Sequence, residues 1–213
     1  PTMFTGVLFK EMLENYGIKI NYILKKKVIR NADTLATHKS SPLINSASNL
    51  MNESDNLTAE LFIKTIGRHS VTQENWKSGL DSLKSLLASS ALLDTSQMRI
   101  ADGSGVSRYN LTSARQLTSF LVWIYKSQYR NDFISTLPGG GKRNGTLERR
   151  LKKEGKYVKA KTGGLSGVSN LSGYVFSPKY GPVAFSLLMS GYRGSSLPYR
   201  NLQDAIIKQL IYG

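Results

Sequence analysis

The spacing of apolar residues changes near residue 157, and this change constrains the fold more than any other feature of the sequence. Before it, apolar residues recur every three or four positions, as they do along one face of a helix. After it, three segments alternate in the manner of β-strands, and a last segment is again helical. Helices that precede a small antiparallel sheet predict an α+β fold.

Five segments before residue 157 carry the helical spacing, and several have recognisable ends. Gly17 is a natural stop for the first, Pro42 opens the second, Thr72 caps the fourth, and Ser113 with Gln116 matches a capping box for the fifth. We predict helices over residues 3–16, 42–51, 57–66, 73–88 and 114–125, and a short helical turn over 133–137. Strand-like stretches at residues 27–36 and 98–101 complete this part of the chain.

The sheet is predicted from residues 157–162, 168–176 and 183–190. A turn rich in proline and glycine over residues 177–181 makes the last two strands an antiparallel hairpin. An amphipathic helix over residues 198–211 closes the chain. Because three strands are few for so many helices to cover, we expect further strands to be supplied from elsewhere.

Length and composition are those of a globular protein with one domain or two small ones. The chain has 213 residues, of which 40% are hydrophobic, and no apolar run reaches the ~18 residues of a transmembrane helix. It begins with Pro1 rather than methionine and shows no signal peptide. We therefore interpret it as a processed chain or a piece of a longer one.

The scarcity of thiol and imidazole groups excludes several classes of site. There is no cysteine, which excludes disulfides, cysteine zinc sites and thiol catalysis. The two histidines, His38 and His69, are too few for a histidine metal site and lie outside any nucleophile-elbow pattern. Residues 139–142 lack the spacing of a phosphate-binding loop, and no cofactor is expected.

The net charge of +15 favours an anionic partner such as nucleic acid, an anionic membrane surface or a cell-wall polymer. Basic residues are densest at residues 25–27 and 149–153, where we interpret them as solvated. Nucleic-acid binding is an alternative that rests on this charge alone. Since the sequence has no zinc finger and no aromatic RNA-binding motif, no nucleic acid is expected.

The sequence Lys161-Thr162-Gly163 lies at the end of the first predicted strand of the sheet and suits the binding of a peptide carboxylate. Its ammonium and hydroxyl groups can hold a carboxylate, and its glycine lets an extended peptide lie alongside. The simpler interpretation is a sheet edge with a lysine that discourages further strand pairing.

A second polar tripeptide, Ser54-Asp55-Asn56, separates two predicted helices, so Ser54 and Asn56 lie on a turn where their side chains can point into a cleft. A helix cap is the simpler interpretation, because all three residue types favour that position. The two tripeptides together are more specific than either alone. A third motif, Ser-x-x-Lys, accompanies them in penicillin-binding proteins and related β-lactamases, yet no serine here has a lysine three places later.

Four longer stretches resemble the C-terminal half of a D-alanyl-D-alanine carboxypeptidase/endopeptidase of the penicillin-binding protein 4 type. They follow the order of that family between residue 37 and about residue 192: KSSPLINSASNLMNESDNLTAELF, IADGSGVSRYNLTSA, FISTLPGGGKRNGTLERRL and VKAKTGGLSGVSNLSGYV. Residues 102–110 resemble this family rather than the β-lactamases.

The resemblance implies that residues 1–213 are the C-terminal portion of a single penicillin-binding catalytic domain, with a helical cluster packed on an antiparallel sheet. In that family the Ser-x-x-Lys nucleophile lies far upstream, before large inserted domains. The nucleophilic serine, its lysine base and the first strands of the sheet are therefore expected in a missing N-terminal segment.

The implied activity is that of a serine-type D-Ala-D-Ala carboxypeptidase, a hydrolase that forms an acyl-enzyme with peptidoglycan stem peptides. The upstream serine would attack the carbonyl between two D-alanines, and Ser54 would pass the proton to the leaving amine. Asn56 would hold the catalytic lysine and a substrate carbonyl, and Lys161 would supply positive potential near Ser54.

Four further residues are implied to bind substrate. Thr162 would bond the terminal carboxylate, Gly163 would admit the substrate backbone as an added strand, and the Gly164 N–H would be one of two oxyanion-hole donors. Arg108 could reach a substrate carboxylate, or it could brace the loop at residues 102–105 through Asp102. We expect the brace.

The implied partners are the stem peptide, β-lactam antibiotics and the missing N-terminal segment, and the implied location is the periplasm or the cell envelope. The alternative is a non-catalytic fragment, or a degenerate relative, that binds cell-wall peptide. It is supported by the absence of the Ser-x-x-Lys nucleophile from these 213 residues.

Overall fold

A computed structural model of the chain describes residues 2–21, 33–34, 36–68 and 75–213. It forms two compact units, Pro1–Ser40 and Ser41–Gly213. The first unit contains helix α1, Thr2–Asn15, which is followed by Gly17 with a φ of 82°. Glycine adopts this left-handed conformation readily, so the helix predicted over residues 3–16 and its stop at Gly17 are confirmed.

Some predicted features fall outside the described residues. The strand predicted over residues 27–36 lies largely outside them. The basic residues 25–27, His69 and the predicted cap at Thr72 lie entirely outside them. His38 is described and is exposed.

The second unit contains the remaining described helices and the sheet. Its elements are α2 Leu43–Asn49, a π-helical turn Leu50–Ser54, α3 Asn56–Gly67, α4 Asn75–Ser89, a 3₁₀ turn Thr95–Gln97, α5 Ala114–Lys126, α6 Arg130–Thr136, β1 Val158–Leu165, β2 Val168–Ser177, β3 Gly181–Ser190 and α7 Leu197–Tyr212. None of the helices in the described ranges is long and apolar enough to cross a membrane.

These elements match the predicted ones in order, their bounds differ by a few residues, and at two places the type of structure differs. The helix predicted to reach residue 51 is α-helical only to Asn49 and continues as the π turn. The strand predicted over residues 98–101 is reduced to one antiparallel bridge between Arg99 and Leu111. The capping box is confirmed, and the Gln116 N–H donates to Ser113 Oγ at 3.2 Å.

The sheet is antiparallel, in the order β1-β2-β3. The turn at residues 177–181 joins β2 to β3, which confirms the predicted hairpin. Lys161 pairs with Ser172, which in turn pairs with Ser186 on β3. In the described part of the chain, β1 is therefore an edge strand, and the Lys161-Thr162-Gly163 tripeptide lies on that edge.

Side chains along each strand point alternately to the two faces of the sheet, and each face packs against its own layer of helices. One face presents Val158 and Val175 to α7, where Ile207 is fully buried with them. The other face presents Tyr174 to α5 and α6, and its hydroxyl donates to the Leu121 carbonyl at 2.7 Å. Burial raises the pKa of Tyr174 to about 12, which keeps this donor protonated. Helices cover both faces of an antiparallel sheet, which confirms the predicted α+β class.

Candidate active site

Ser54 lies where the π turn ends and α3 begins. In this turn the Asp55 N–H donates to the Leu50 carbonyl, five residues earlier, at 3.2 Å. Ser54 has a φ of 60°, a left-handed conformation that costs a residue with a side chain about 1 kcal/mol. A π turn and a strained backbone next to each other are typical of functional sites.

The helix cap that was the simpler interpretation of this tripeptide belongs to its middle residue. Asp55 accepts from the Leu57 N–H at 3.0 Å and from Thr58 Oγ1 at 2.5 Å. The hydrogen bond from Thr58 lowers the pKa of the Asp55 carboxyl group. Since Asp55 caps α3, the side chains of Ser54 and Asn56 are not used for capping, and both residues are exposed.

Lys161 joins the two tripeptides. Its Nζ donates to Ser54 Oγ at 2.8 Å, across 107 residues of sequence, and to the Thr162 carbonyl at 2.9 Å. Lys161 is half-buried, and this burial lowers its pKa. A lysine that merely protects a sheet edge would extend into solvent, so the simpler interpretation does not describe Lys161.

Thr162, Gly163 and Gly164 continue along the outer edge of β1. Thr162 is half-buried, and both glycines are exposed. A Cβ at Gly163 would have Asn170 Cβ as its nearest neighbour at 3.5 Å, and a Cβ at Gly164 would have no described atom within 4 Å. Packing against the described residues therefore does not require glycine at either position. The open edge can accept an extended peptide.

An open groove of about 790 Å³ lies between the sheet and the helices of the second unit. Lys161, Thr162 and Asn170 line it from the sheet and supply polar groups. The helices supply mainly apolar side chains, among them Leu83, Leu87, Leu117, Phe120 and Phe133. The groove thus combines polar groups of the sheet, among them Lys161, with an apolar wall supplied by the helices.

A loop over residues 99–111 borders this groove and is closed by local hydrogen bonds. Asp102 accepts from the N–H groups of Gly105 at 2.7 Å and Ser107 at 2.6 Å, and from Asn110 Nδ2 at 2.8 Å. Asn110 Oδ1 accepts from the Ala101 N–H at 2.7 Å. These bonds give the loop a fixed shape without help from Arg108.

The predicted brace between Arg108 and Asp102 is wrong. Three local donors occupy the oxygens of Asp102, and Arg108 donates from Nη2 to the Ser166 carbonyl at 2.8 Å instead. Ser166 lies in the turn between β1 and β2, so Arg108 links the loop to the strand that carries Lys161. Arg108 also lines the groove, where a ligand could reach it.

Sequence reasoning missed Glu60, which fixes the same loop to α3. Its Oε1 accepts from the N–H groups of Gly103 at 3.1 Å and Ser104 at 2.9 Å, and its Oε2 accepts from Trp76 Nε1 at 2.7 Å. Burial opposes ionisation of Glu60, but the hydrogen bonds from Trp76 and Ser104 outweigh it and lower the pKa. No local pattern marks this residue, because a glutamate on a helix is ordinary.

The pair formed by Ser54 and Lys161 places a hydroxyl group against an ammonium group of lowered pKa. Such a pair can relay a proton and can stabilise negative charge on the hydroxyl oxygen while it does so. Within the described ranges, no cluster of three or more histidine, cysteine, aspartate or glutamate side chains could hold a metal ion.

Comparison with known proteins gives consistent matches. The model of the D-Ala-D-Ala carboxypeptidase 3 (S13) family matches residues 1–210. The D-alanyl-D-alanine carboxypeptidase of Actinomadura sp. (strain R39) is 34% identical over 99% of this chain and 40% of its own length. The D-alanyl-D-alanine carboxypeptidase DacB of Haemophilus influenzae is 27% identical over 96% of this chain and 44% of its own length.

A solved structure agrees with these sequence matches. The crystal structure of penicillin binding protein 4 from Haemophilus influenzae, in complex with a novel β-lactam, is similar with a TM-score of 0.81 and 26% identity. The similarity covers 98% of this chain and 51% of that one. This chain therefore spans about half the length of the relatives it matches, which fits the predicted correspondence to one half of such a protein. Because the family model covers nearly every residue, the chain belongs to the D-Ala-D-Ala carboxypeptidase 3 (S13) family.

Proposed function

We propose that this chain forms the substrate-holding and proton-relay side of the active site of a serine-type D-Ala-D-Ala carboxypeptidase/endopeptidase that acts on peptidoglycan stem peptides. The observation that carries the proposal is the 2.8 Å hydrogen bond from Lys161 Nζ to Ser54 Oγ. It joins the two tripeptides of this chain that belong to the penicillin-binding signature set. Membership of the S13 family supports the same activity.

The acylation step begins with the serine of an upstream Ser-x-x-Lys motif, which attacks the carbonyl carbon between two D-alanines. The serine gives up its proton to the lysine of that motif. Ser54 relays a proton to the leaving nitrogen, the C–N bond breaks, and D-alanine leaves while the acyl group stays on the serine as an ester. Lys161 stabilises the negative charge that develops on Ser54 Oγ during the relay. Water then hydrolyses the ester.

The substrate lies along the outer edge of β1 in this proposal. The Thr162 hydroxyl bonds the terminal carboxylate, and the absence of a side chain at Gly163 lets the peptide backbone approach as an added strand. The Gly164 N–H donates to the oxyanion, as one of two donors. Asn56, exposed at the start of α3, orients the upstream lysine and a substrate carbonyl. Arg108 supplies positive charge at the rim of the groove.

We further assign residues 1–213 to the C-terminal portion of a single penicillin-binding catalytic domain. The apolar wall of the groove, which includes Leu87 and Phe120, is where an upstream segment with the nucleophile would pack. Such a segment would bring its serine to the pair formed by Lys161 and Ser54. Stem peptides and β-lactams are the expected ligands, and the periplasm or the cell envelope is the expected location.

Labelling with a fluorescent penicillin tests this assignment. The protein that carries this chain together with its upstream segment should be acylated at one serine. This chain alone should remain unlabelled, because it contains no Ser-x-x-Lys. A stoichiometric covalent adduct on the isolated chain would show that the nucleophile lies within these residues. It would contradict the assignment of the nucleophile to an upstream segment.

A non-catalytic peptide-binding protein is the second candidate, and the absence of Ser-x-x-Lys from this chain favours it. The two candidates differ in the sequence upstream of Pro1 and in turnover. A protein that binds D-Ala-D-Ala peptide but neither releases D-alanine nor forms a penicillin adduct would establish the second candidate. Release of D-alanine with formation of an adduct would establish the first.

A further inference from the structure

Asn52 lies inside the π turn that precedes Ser54 and ties this turn to a distant helix. Its Nδ2 donates to the Ser48 carbonyl at 2.6 Å, one turn earlier, and to the Thr136 carbonyl at 3.3 Å. Thr136 is the last residue of α6 and is buried. One amide group thus holds together the end of α2 and the end of α6.

The other side of the Asn52 amide is enclosed by the loop that follows α6. Asn52 Oδ1 is buried and accepts no hydrogen bond from the described residues. It lies 3.7 Å from the position that a Cβ would occupy at Gly145. Two donated hydrogen bonds and this approach hold the side chain between α2, the end of α6 and the loop at Gly145.

The Asn52 side chain affects the position of Ser54 because the backbone geometry at Ser54 is unfavourable without support from other contacts. π pairing is rare in proteins, and the left-handed φ of 60° at Ser54 is strained for a residue with a side chain. Relaxation of the turn to α-helical pairing would rotate the following residues by about 100°, the rotation of one helical position. Ser54 Oγ would then leave Lys161 Nζ.

We propose that Asn52 is a positioning residue for the proton relay: its hydrogen bond to the Thr136 carbonyl holds the π turn, and the π turn holds Ser54 Oγ against Lys161 Nζ. The proposal rests on the function proposed above for Ser54. Asn52 touches neither substrate nor reacting atoms, and acts only through the backbone that leads to Ser54.

The kinetic test uses Asn52→Leu, which keeps a similar volume and removes the donors, and Asn52→Ala as a second variant. Asn49→Ala is the matched control, because Asn49 lies on the same helical segment and is exposed. Each substitution is made in the complete protein with its Ser-x-x-Lys segment. Two substrates are compared: a D-Ala-D-Ala peptide, whose amine must be protonated to leave, and a thioester analogue, whose thiolate leaves without a proton.

If Asn52 acts through Ser54, both Asn52 variants should lose roughly 10- to 100-fold in kcat/KM on the peptide, the loss typical of a misplaced catalytic group. They should lose much less on the thioester, and Asn49→Ala should lose nothing on either substrate. Adding Asn52→Leu to Ser54→Ala should cause no further loss, because the group that Asn52 positions is already gone. Equal losses on the two substrates, or losses that add to those of Ser54→Ala, would overturn the proposal.

A second measurement separates this inference from the proposed function. In protein with isotope-labelled lysine, the side-chain NMR signal of Lys161 reports its contact with Ser54 Oγ. The signal should move in Asn52→Leu to nearly the position it takes in Ser54→Ala, and should stay in place in Asn49→Ala. If the wild type turns over neither substrate, the proposed function fails while this signal still decides the role of Asn52. An unmoved signal in Asn52→Leu overturns the inference.

Discussion

Replacing Lys161 with methionine should remove the positive charge beside Ser54 while the packing at this position stays in place. Methionine is unbranched and flexible, so it can fill the half-buried path of the lysine stem. The change deletes the two hydrogen bonds that Nζ donates, to Ser54 Oγ at 2.8 Å and to the Thr162 carbonyl at 2.9 Å. It leaves the pairing of β1 with β2 intact, because that pairing uses backbone groups.

The free energy of unfolding should change little, because two effects of this substitution oppose each other. The two lost hydrogen bonds are worth about 1 kcal/mol each. Burial lowers the pKa of Lys161, which shows that the folded state disfavours its charge, and methionine carries no such charge. We expect a net change within about 1 kcal/mol. Turnover should fall about 10²- to 10³-fold, the usual loss when one preorganised electrostatic group is removed.

Lys159→Met is the matched control. Lys159 lies on the same strand and is also half-buried, and its pKa is lowered by burial and by the charge of Lys142. Melting temperature and kcat/KM on a D-Ala-D-Ala peptide are measured for both variants of the complete protein. Both should melt close to the wild type, and only Lys161→Met should lose turnover. A large drop in melting temperature with normal turnover in Lys161→Met would refute the reasoning and make Lys161 a structural residue.

Four further outcomes can be measured on the same protein. Because burial lowers the pKa of Lys161 from 10.5, the alkaline decline of kcat/KM should begin at lower pH than an ordinary lysine would give, and Lys161→Arg should move it to higher pH. Glu60→Ala should lower the free energy of unfolding by about 2–3 kcal/mol through its lost charge-assisted hydrogen bonds. Since the pKa of Glu60 is lowered in the folded state, the part of this contribution that depends on ionisation is full above the ordinary glutamate pKa and is lost as the pH falls through the folded-state pKa, so the difference in stability between the wild type and Glu60→Ala should narrow in urea titrations at low pH. Gly163→Ala should melt at the wild-type temperature, because the new Cβ would lie 3.5 Å from its nearest neighbour, Asn170 Cβ. The same variant should be acylated about tenfold more slowly. Gly79→Ala should be strongly destabilised, because its Cβ would lie 2.0 Å from the Ile63 carbonyl oxygen.

Local patterns in the sequence were sufficient to predict most of the helices and strands around the site. The capping box at Ser113 and Gln116, the hairpin turn at residues 177–181 and the stop at Gly17 each depend on the chemistry of a few neighbouring residues. Such signals need no knowledge of tertiary contacts, which is why they predicted the elements of the α+β fold. The absence of a Ser-x-x-Lys motif was equally visible in the sequence.

The interactions that the sequence did not predict are those between distant segments. The Arg108 side chain was expected to bond Asp102, six residues earlier, but bonds Ser166, 58 residues later. The π turn before Ser54 contains Asn52, which bonds Thr136, 84 residues away, and nothing in the local sequence distinguishes this turn from an α-helix. The pair Lys161 and Ser54, which is 107 residues apart, was anticipated only because two motifs were interpreted together.

The helix cap and the proposed function of Ser54-Asp55-Asn56 are compatible, because they use different residues of the tripeptide. Asp55 caps α3 through Leu57 and Thr58, which stabilises the helix start. This cap fixes the backbone on both sides of Asp55. Ser54 and Asn56 therefore lie on a fixed turn, and their own side chains are not needed to cap the helix. Ser54 can then accept the hydrogen bond from Lys161, while Asn56 stays exposed. A helix cap at this position is therefore a condition for the proposed chemistry and does not compete with it.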